Sequence, residues 1–361
     1  MKKLWTICWL CMAGAALFPQ PGRAYEILFH ELYEDTMEMY AISDTEATLR
    51  NIGQGIYPAK SANKHYLAYI QLFKMRNGGF SPANPGRIAI RDLKENKPVK
   101  YISNGRIEFI PCFRWRPDGK SLAYISLAGP GLREGCIYIY NPADETSRKV
   151  LTFGYESFDS GFGGTDLEWS PDGKDLLFTA LDRNNPGGIM KLIHAADGSA
   201  TVWTESGRRP RFVDDRRILY IAGKEIMTIG RDGGGKKQLM DIGSSIITVS
   251  QVAGGRAVVM TKKAAGGSEI PYTLYLLDIS KKRAKEIGGD EPAFLCPVIS
   301  PDGKKMTALG VKLGPERPEI GYYVYDFKTR EHSCLKMLEK ELSRGFWWSV
   351  YSGGGNSTSW N

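Results

Sequence analysis

The sequence predicts an all-β fold: a seven-bladed β-propeller of four-stranded antiparallel blades, closed by N- and C-terminal strands that share one blade. Three observations predict it. A hairpin motif recurs three times in one apolar frame, seven alternating strands follow one another at a regular interval, and the strand inventory is one short at the beginning of the chain.

The hairpins are Phe113-Arg-Trp-Arg-Pro-Asp-Gly-Lys-Ser-Leu-Ala-Tyr124, Leu167-Glu-Trp-Ser-Pro-Asp-Gly-Lys-Asp-Leu-Leu-Phe178 and Val298-Ile-Ser-Pro-Asp-Gly-Lys-Lys-Met-Thr-Ala308. Each reads as a short strand, a tight turn and a second strand. Proline presets φ at the first turn position, aspartate bonds its own backbone, and glycine takes the left-handed conformation that closes the turn. Two further blades have lost this turn, reading Val213-Asp-Asp-Arg-Arg217 and Ala253-Gly-Gly-Arg256.

Third strands read Met39–Ser43, Ile88–Asp92, Ile137–Asn141, Met190–His194, Ile226–Gly230, Leu274–Asp278 and Tyr322–Asp326, with aromatic and aliphatic residues alternating. From Tyr40 to Tyr323 their mean spacing is near 47 residues, which suits one blade. Second strands also number seven, from Ile27–Glu31 to Met306–Gly310, whereas first strands number six. The chain thus starts on a second strand, and the missing first strand is expected from Gly345-Phe-Trp-Trp-Ser-Val-Tyr351. Such a closure leaves no frayed seam between first and last blades. The alternative is six blades and a loose N-terminal hairpin.

The run Trp169-Ser-Pro-Asp-Gly-Lys174, with its relatives at 115–120 and 299–304, resembles the TolB-type propeller repeat, shared by a periplasmic translocation protein and by the propellers of prolyl-oligopeptidase-type enzymes. The resemblance implies the blade fold over nearly the whole mature chain and leaves activity open, because the motif residues build a turn and no site. TolB also carries an α/β domain ahead of its propeller; here only the stretch from Tyr25 to about Tyr57 precedes the first full blade, and no such domain is expected.

Residues 1–24 read as a secretory signal peptide: Lys2 and Lys3, then an apolar run of 15 residues from Leu4 to Phe18, then small residues before Tyr25. An uncleaved anchor is the alternative, although the run falls short of the ~20 residues that span a bilayer. The expected layout is a signal peptide over 1–24, the propeller over 25–351 and a flexible tail over 352–361, with a periplasmic or extracellular destination. No integral membrane segment is expected after cleavage. Of the 361 residues, 42% are hydrophobic, 24% charged and 11% aromatic, which excludes a disordered chain, a collagen and a coiled coil. Removing the leader takes away three basic residues and no acidic one, leaving 45 against 40. Those charges are dispersed in both signs, so no nucleic-acid surface is expected.

Catalytic motifs are not evident. A serine hydrolase of the prolyl-oligopeptidase kind needs a Gly-x-Ser-x-Gly elbow and a further domain, and neither is present in these residues. Oligogalacturonate lyases, which also resemble the repeat, gather histidines around a metal. The four histidines here, His30, His65, His194 and His332, have no ligand spacing, and no metal or cofactor is expected. Asp214–Asp215 and Asp144–Glu145 read as turn residues rather than acid/base pairs. Arg231-Asp-Gly-Gly-Gly-Lys236 looks like a phosphate loop but lies between two strands, so it is expected to be a hairpin tip. A disulfide between Cys112 and Cys136, at the same end of one blade, is possible in an oxidising compartment.

Connections from second to third strands, and from blade to blade, are long and share one face. Long loops on a rigid scaffold are where recognition is placed. The candidate partner-binding residues are therefore Phe80, Arg133, Tyr155, Phe158, Phe162 and Arg317. The reading is an exported scaffold that binds a protein or peptide partner in the cell envelope. Alternatives are a channel-mouth enzyme of the lyase or glycan-processing type and a purely structural envelope subunit.

Overall fold

The computed structural model describes residues 26–33, 36–43, 48–73, 86–95, 99–102, 109–128, 134–154, 166–182, 185–262, 272–288, 292–313, 318–338 and 358–360. Among them stand seven four-stranded antiparallel sheets. The first combines β1 (Glu26–Tyr33), β2 (Thr36–Ser43) and β3 (Leu49–Gln54) with β28 (Thr358–Trp360) from the far end of the chain. The other six are consecutive: 56–102, 113–154, 166–206, 208–241, 246–287 and 293–337. In each of these six the first strand is buried at the inner edge. Fourth strands are largely exposed, as in Lys237–Asp241 and Arg283–Ile287. Blade faces pack on one another through continuous apolar clusters, such as Ile125, Ile137, Phe153, Leu167 and Phe178 between blades three and four. No helix among the described residues is long and apolar enough to cross a membrane.

The closing strand differs from the expectation. Trp360, Ser359 and Thr358 pair with Ile27, Leu28 and Phe29, so the tail expected to be flexible supplies the latch, in place of a strand from 345–351. An inner-edge strand is selected by backbone donors and acceptors in register, which an aromatic-rich pattern does not report. Trp347, Trp348 and the rest of 345–351 lie outside the described residues.

The turn motif behaves as its chemistry requires. Gly119, Gly173 and Gly303 have φ of 71°, 67° and 69°, and Asp118, Asp172 and Asp302 accept the N–H of the lysine two residues on. A fourth copy was hidden in Ser61-Ala-Asn-Lys-His65, where Asn63 plays the aspartate and Lys64 holds the left-handed φ of 60°. These turns interlock around one face of the wheel. A Cβ on Gly119 would lie 2.7 Å from the Asn63 backbone of the preceding blade, and one on Gly303 would lie 2.4 Å from the Ala253 carbonyl.

Three inner strands carry a bulge at an Xaa-Pro step: Tyr57-Pro58, Arg209-Pro210 and Cys296-Pro297, with φ of 55°, 54° and 56° on the first residue. A bulge takes the proline out of a ladder to which it cannot donate.

Candidate functional site

Two polar constellations stand out from the apolar frame. The first is a buried ionic hub contributed by the inner strands of blades three, four and five. Asp166 lies 2.6 Å from Arg211, 3.6 Å from Arg209 and 3.8 Å from Arg114, and Arg211 also reaches Glu168 at 3.4 Å. Glu168 accepts the Phe212 N–H at 3.1 Å. All five side chains are nearly withdrawn from water. Burial works to raise Asp166, but the guanidiniums of Arg211, Arg209 and Arg114 hold it below the ordinary value. Burial dominates at Glu168, which Arg211 offsets only in part, and its carboxyl is pushed up to about 7. Cys112 adjoins this hub, and burial pushes its thiol up to about 12.

The candidate Cys112–Cys136 bridge is not formed: both thiols are free. The Cys112 carbonyl accepts from Ile125 on β9 (Leu122–Ala128), and Cys136 on β10 (Glu134–Asn141) pairs with Ser126 on the other side of that strand. An intervening strand separates the cysteines by two ladder spacings, about 9–10 Å, beyond the ~7 Å that a disulfide spans.

The second constellation lies on the tight-turn face, between blades four and five, in a cleft of about 750 Å³. It opens where the ring of interlocking turns is interrupted, because Val213-Asp-Asp-Arg-Arg217 has no Pro-Asp-Gly to seat against its neighbour. Arg231 bridges the gap. Its Nε donates to Asp175 Oδ2 at 2.8 Å, Nη1 lies 3.3 Å from Asp172 Oδ2, and Nη1 also donates to the Asp215 carbonyl at 3.2 Å. Asp175 is buried, and its other oxygen lies 2.5 Å from Nδ1 of His194. That pair fixes the half-exposed imidazole and leaves Nε2 as the ring atom free of this contact. Burial opposes it, yet the Ser170 hydroxyl, the Lys174 N–H and Arg231 hold Asp172 down to about 2. Leu192 and Ile229 give the cleft an apolar lining, with Thr201 and Thr228 beside them.

The glycine-rich Arg231–Lys236 segment is a hairpin tip, between β18 (Glu225–Gly230) and β19 (Lys237–Asp241), and it forms one wall of the cleft. Asp214 caps its own turn by accepting the N–H of Arg216 and Arg217. Asp144 does the same for Thr146. The histidines stand on four different blades. His30 is buried against Tyr57, 5.0 Å between ring centres, and burial lowers it to about 3; His65 and His332 are exposed, and His194 lines the cleft. Among the described residues no three metal-ligating side chains converge. Phe80, Arg133, Tyr155, Phe158, Phe162 and Arg317 all lie outside the described residues.

The hub and the cleft were not anticipated from sequence. A signal for the hub existed in the charged residues Asp166, Glu168, Arg209 and Arg211, which stand at inner-strand positions where the last blade has Cys296 and Val298. The signal for the cleft was the coincidence of a lost turn motif with the glycine-rich tip in the same blade.

This architecture, among the described residues, is a seven-bladed β-propeller of four-stranded antiparallel blades. No protein-family model matches the chain. The Tol-Pal system protein TolB of Alcanivorax borkumensis is 34% identical over 97 residues, which are 27% of this chain and 20% of that protein. Among solved structures, the β-propeller domain of the Trilobed protease from Pyrococcus furiosus aligns with a TM-score of 0.62 at 13% identity, covering 94% of this chain and 98% of that one. TolB from Acinetobacter baumannii aligns with a TM-score of 0.51 at 17% identity, over 93% and 82%. An acylaminoacyl peptidase of Pyrococcus horikoshii aligns at 0.62 and 14%, and this chain spans 54% of its length. At these identities the structural likenesses establish the fold.

Proposed function

We propose that the protein is an exported propeller scaffold that binds a protein or peptide partner in the cell envelope. The observation that carries this reading is the inter-blade cleft: an apolar lining with oriented polar groups, held open in a rigid framework, is what an extended segment of a partner requires. The similarity to a Tol-Pal system protein supports an envelope setting. The long-loop residues Phe158 and Phe162, named from the sequence, remain a second candidate surface.

Capture of partners from envelope extract tests the reading with three proteins: wild type, Phe158→Ala/Phe162→Ala, and Arg216→Glu/Lys237→Glu. A partner held by the wild type and lost from one double variant assigns the face. Failure of the wild type to retain any partner overturns the scaffold.

A second reading, an enzyme, draws on the His194–Asp175 pair, whose geometry suits a general base. Turnover of an oligosaccharide or peptide that disappears in His194→Ala would favour it over the scaffold.

A further inference from the structure

The histidines form no ligand set, but two sulfurs converge on the outer edge of blade seven. There β27 (His332–Met337), the largely exposed fourth strand, pairs with β26 (Pro318–Asp326). Cys334 and Met337 are an odd number of positions apart, so an unbroken strand would put them on opposite faces. The register prevents this: Tyr323 pairs with Cys334 and Tyr322 with Lys336, which leaves Leu335 as the extra residue of a bulge. Met337 thereby returns to the face of Cys334, opposite Gly321. Blade one carries the same bulge, and there it aims Asn51 and Gln54 at one group: both donate to the Glu38 carboxylate, at 2.9 and 3.0 Å. In blade seven the place of Glu38 is taken by Gly321, which brings no side chain, and the two residues aimed at it both carry sulfur. A Cβ on Gly321 would lie 2.9 Å from Met337 Sδ and 3.3 Å from Cys334 Sγ. The Tyr323 hydroxyl donates to Met337 Sδ at 3.6 Å and so positions the thioether. Lys336 points the other way, to Glu31 and the Tyr40 ring, which draws its ammonium off this face. The exposed Glu319 carboxylate acts electrostatically on the Tyr323 hydroxyl, adding negative charge near the sulfurs.

We infer that Cys334 and Met337 form a binding site for a soft monovalent metal cation, Cu(I). Thiolate and thioether are the soft ligands that Cu(I) selects, and it accepts fewer of them than the tetrahedral set of a structural zinc. Metal–sulfur bonds of about 2.3 Å bring both sulfurs onto one ion after small rotations of two side chains at an exposed edge. On binding, the Cys334 S–H gives its proton to solvent, the thiolate and the Met337 sulfur each donate an electron pair to the metal, and nothing is oxidised or reduced. The site is separate from the inter-blade cleft and does not depend on the partner-binding reading.

The test adds Cu(I), kept reduced under anaerobic conditions, to the full-length protein carrying isotope-labelled methionine methyls. NMR follows the methyl signals, and the colour of a competing Cu(I) chelator reports the affinity. The Met337 signal, assigned as the one missing from Met337→Leu, should shift with the first equivalent of Cu(I) and stay still in Cys334→Ser. Each substitution should weaken Cu(I) binding about tenfold or more. Met337→Leu keeps every thiol and a side chain of similar size at an exposed position, so its loss of affinity reports the thioether rather than misfolding. Unchanged affinity in Met337→Leu, or a Met337 methyl indifferent to Cu(I), overturns the site. Cu(I) held only by other cysteines of the chain would give that result, and the partner-binding reading would stand unaffected.

Discussion

Glu168 shows how burial and charge divide the behaviour of two acids in one hub. Asp166 touches three guanidiniums and stays ionised, whereas Glu168 shares one of them at 3.4 Å and holds its proton to about pH 7. The folded state therefore binds a proton that the unfolded chain releases near its ordinary value of 4.5. The stability contributed by this group is fully present below pH 4.5 and is lost as pH rises towards and through 7. At ~1.4 kcal/mol per pH unit the loss is on the order of 3 kcal/mol. Glu168→Gln mimics the protonated form and keeps an oxygen for the Phe212 N–H. Denaturant titrations between pH 5 and 8 should show the wild type losing stability relative to Glu168→Gln; parallel curves would remove Glu168 as the cause.

Blade-to-blade cohesion depends on repeated small devices. Trp115 and Trp169 each donate their indole N–H to an inner-strand carbonyl of the preceding blade, Ala59 and Arg114, both at 3.0 Å. Blade five has Phe212 at this position, so the seam between blades four and five lacks the indole donor as well as the turn contact. Arg231 and its two aspartates span that seam instead, which is why the cleft opens there. Trp169→Phe keeps the ring and deletes the donor, leaving the buried Arg114 carbonyl without it. The expected cost is about 1–3 kcal/mol with an unchanged denaturant slope, measured by equilibrium unfolding.

Closure of the wheel is a property of the whole molecule. The latch is short, three residue pairs between β28 and β1, but side chains reinforce the same seam. The Tyr322 hydroxyl donates to the His30 carbonyl at 2.9 Å, Phe29 packs on Tyr322 at 4.6 Å between ring centres, and Lys336 pairs with Glu31. Deleting residues 358–361 should therefore lower stability by about 1–3 kcal/mol without unfolding the protein. Hydrogen exchange would accelerate at the Ile27–Phe29 amides more than at Leu219–Ile221 in blade five. Equal acceleration in both places would show that the latch governs the whole ring rather than its own blade.

Blade number, strand order and turn chemistry were legible in the residues, because alternation, proline-preset φ and left-handed glycine are local properties repeated at a fixed interval. The copy at Ser61–His65 was illegible for the same reason: Lys64 adopts a conformation that its residue type does not advertise. Tertiary structure alone decided which distant segment became the latch, since backbone pairing at an inner edge leaves little trace in side-chain pattern. It also decided that Cys112 and Cys136 stay apart, by placing a strand between them. The hub and the cleft belong to that second category: each is assembled from residues of neighbouring blades some 50 positions apart, and only the curvature of the ring brings their charges within reach.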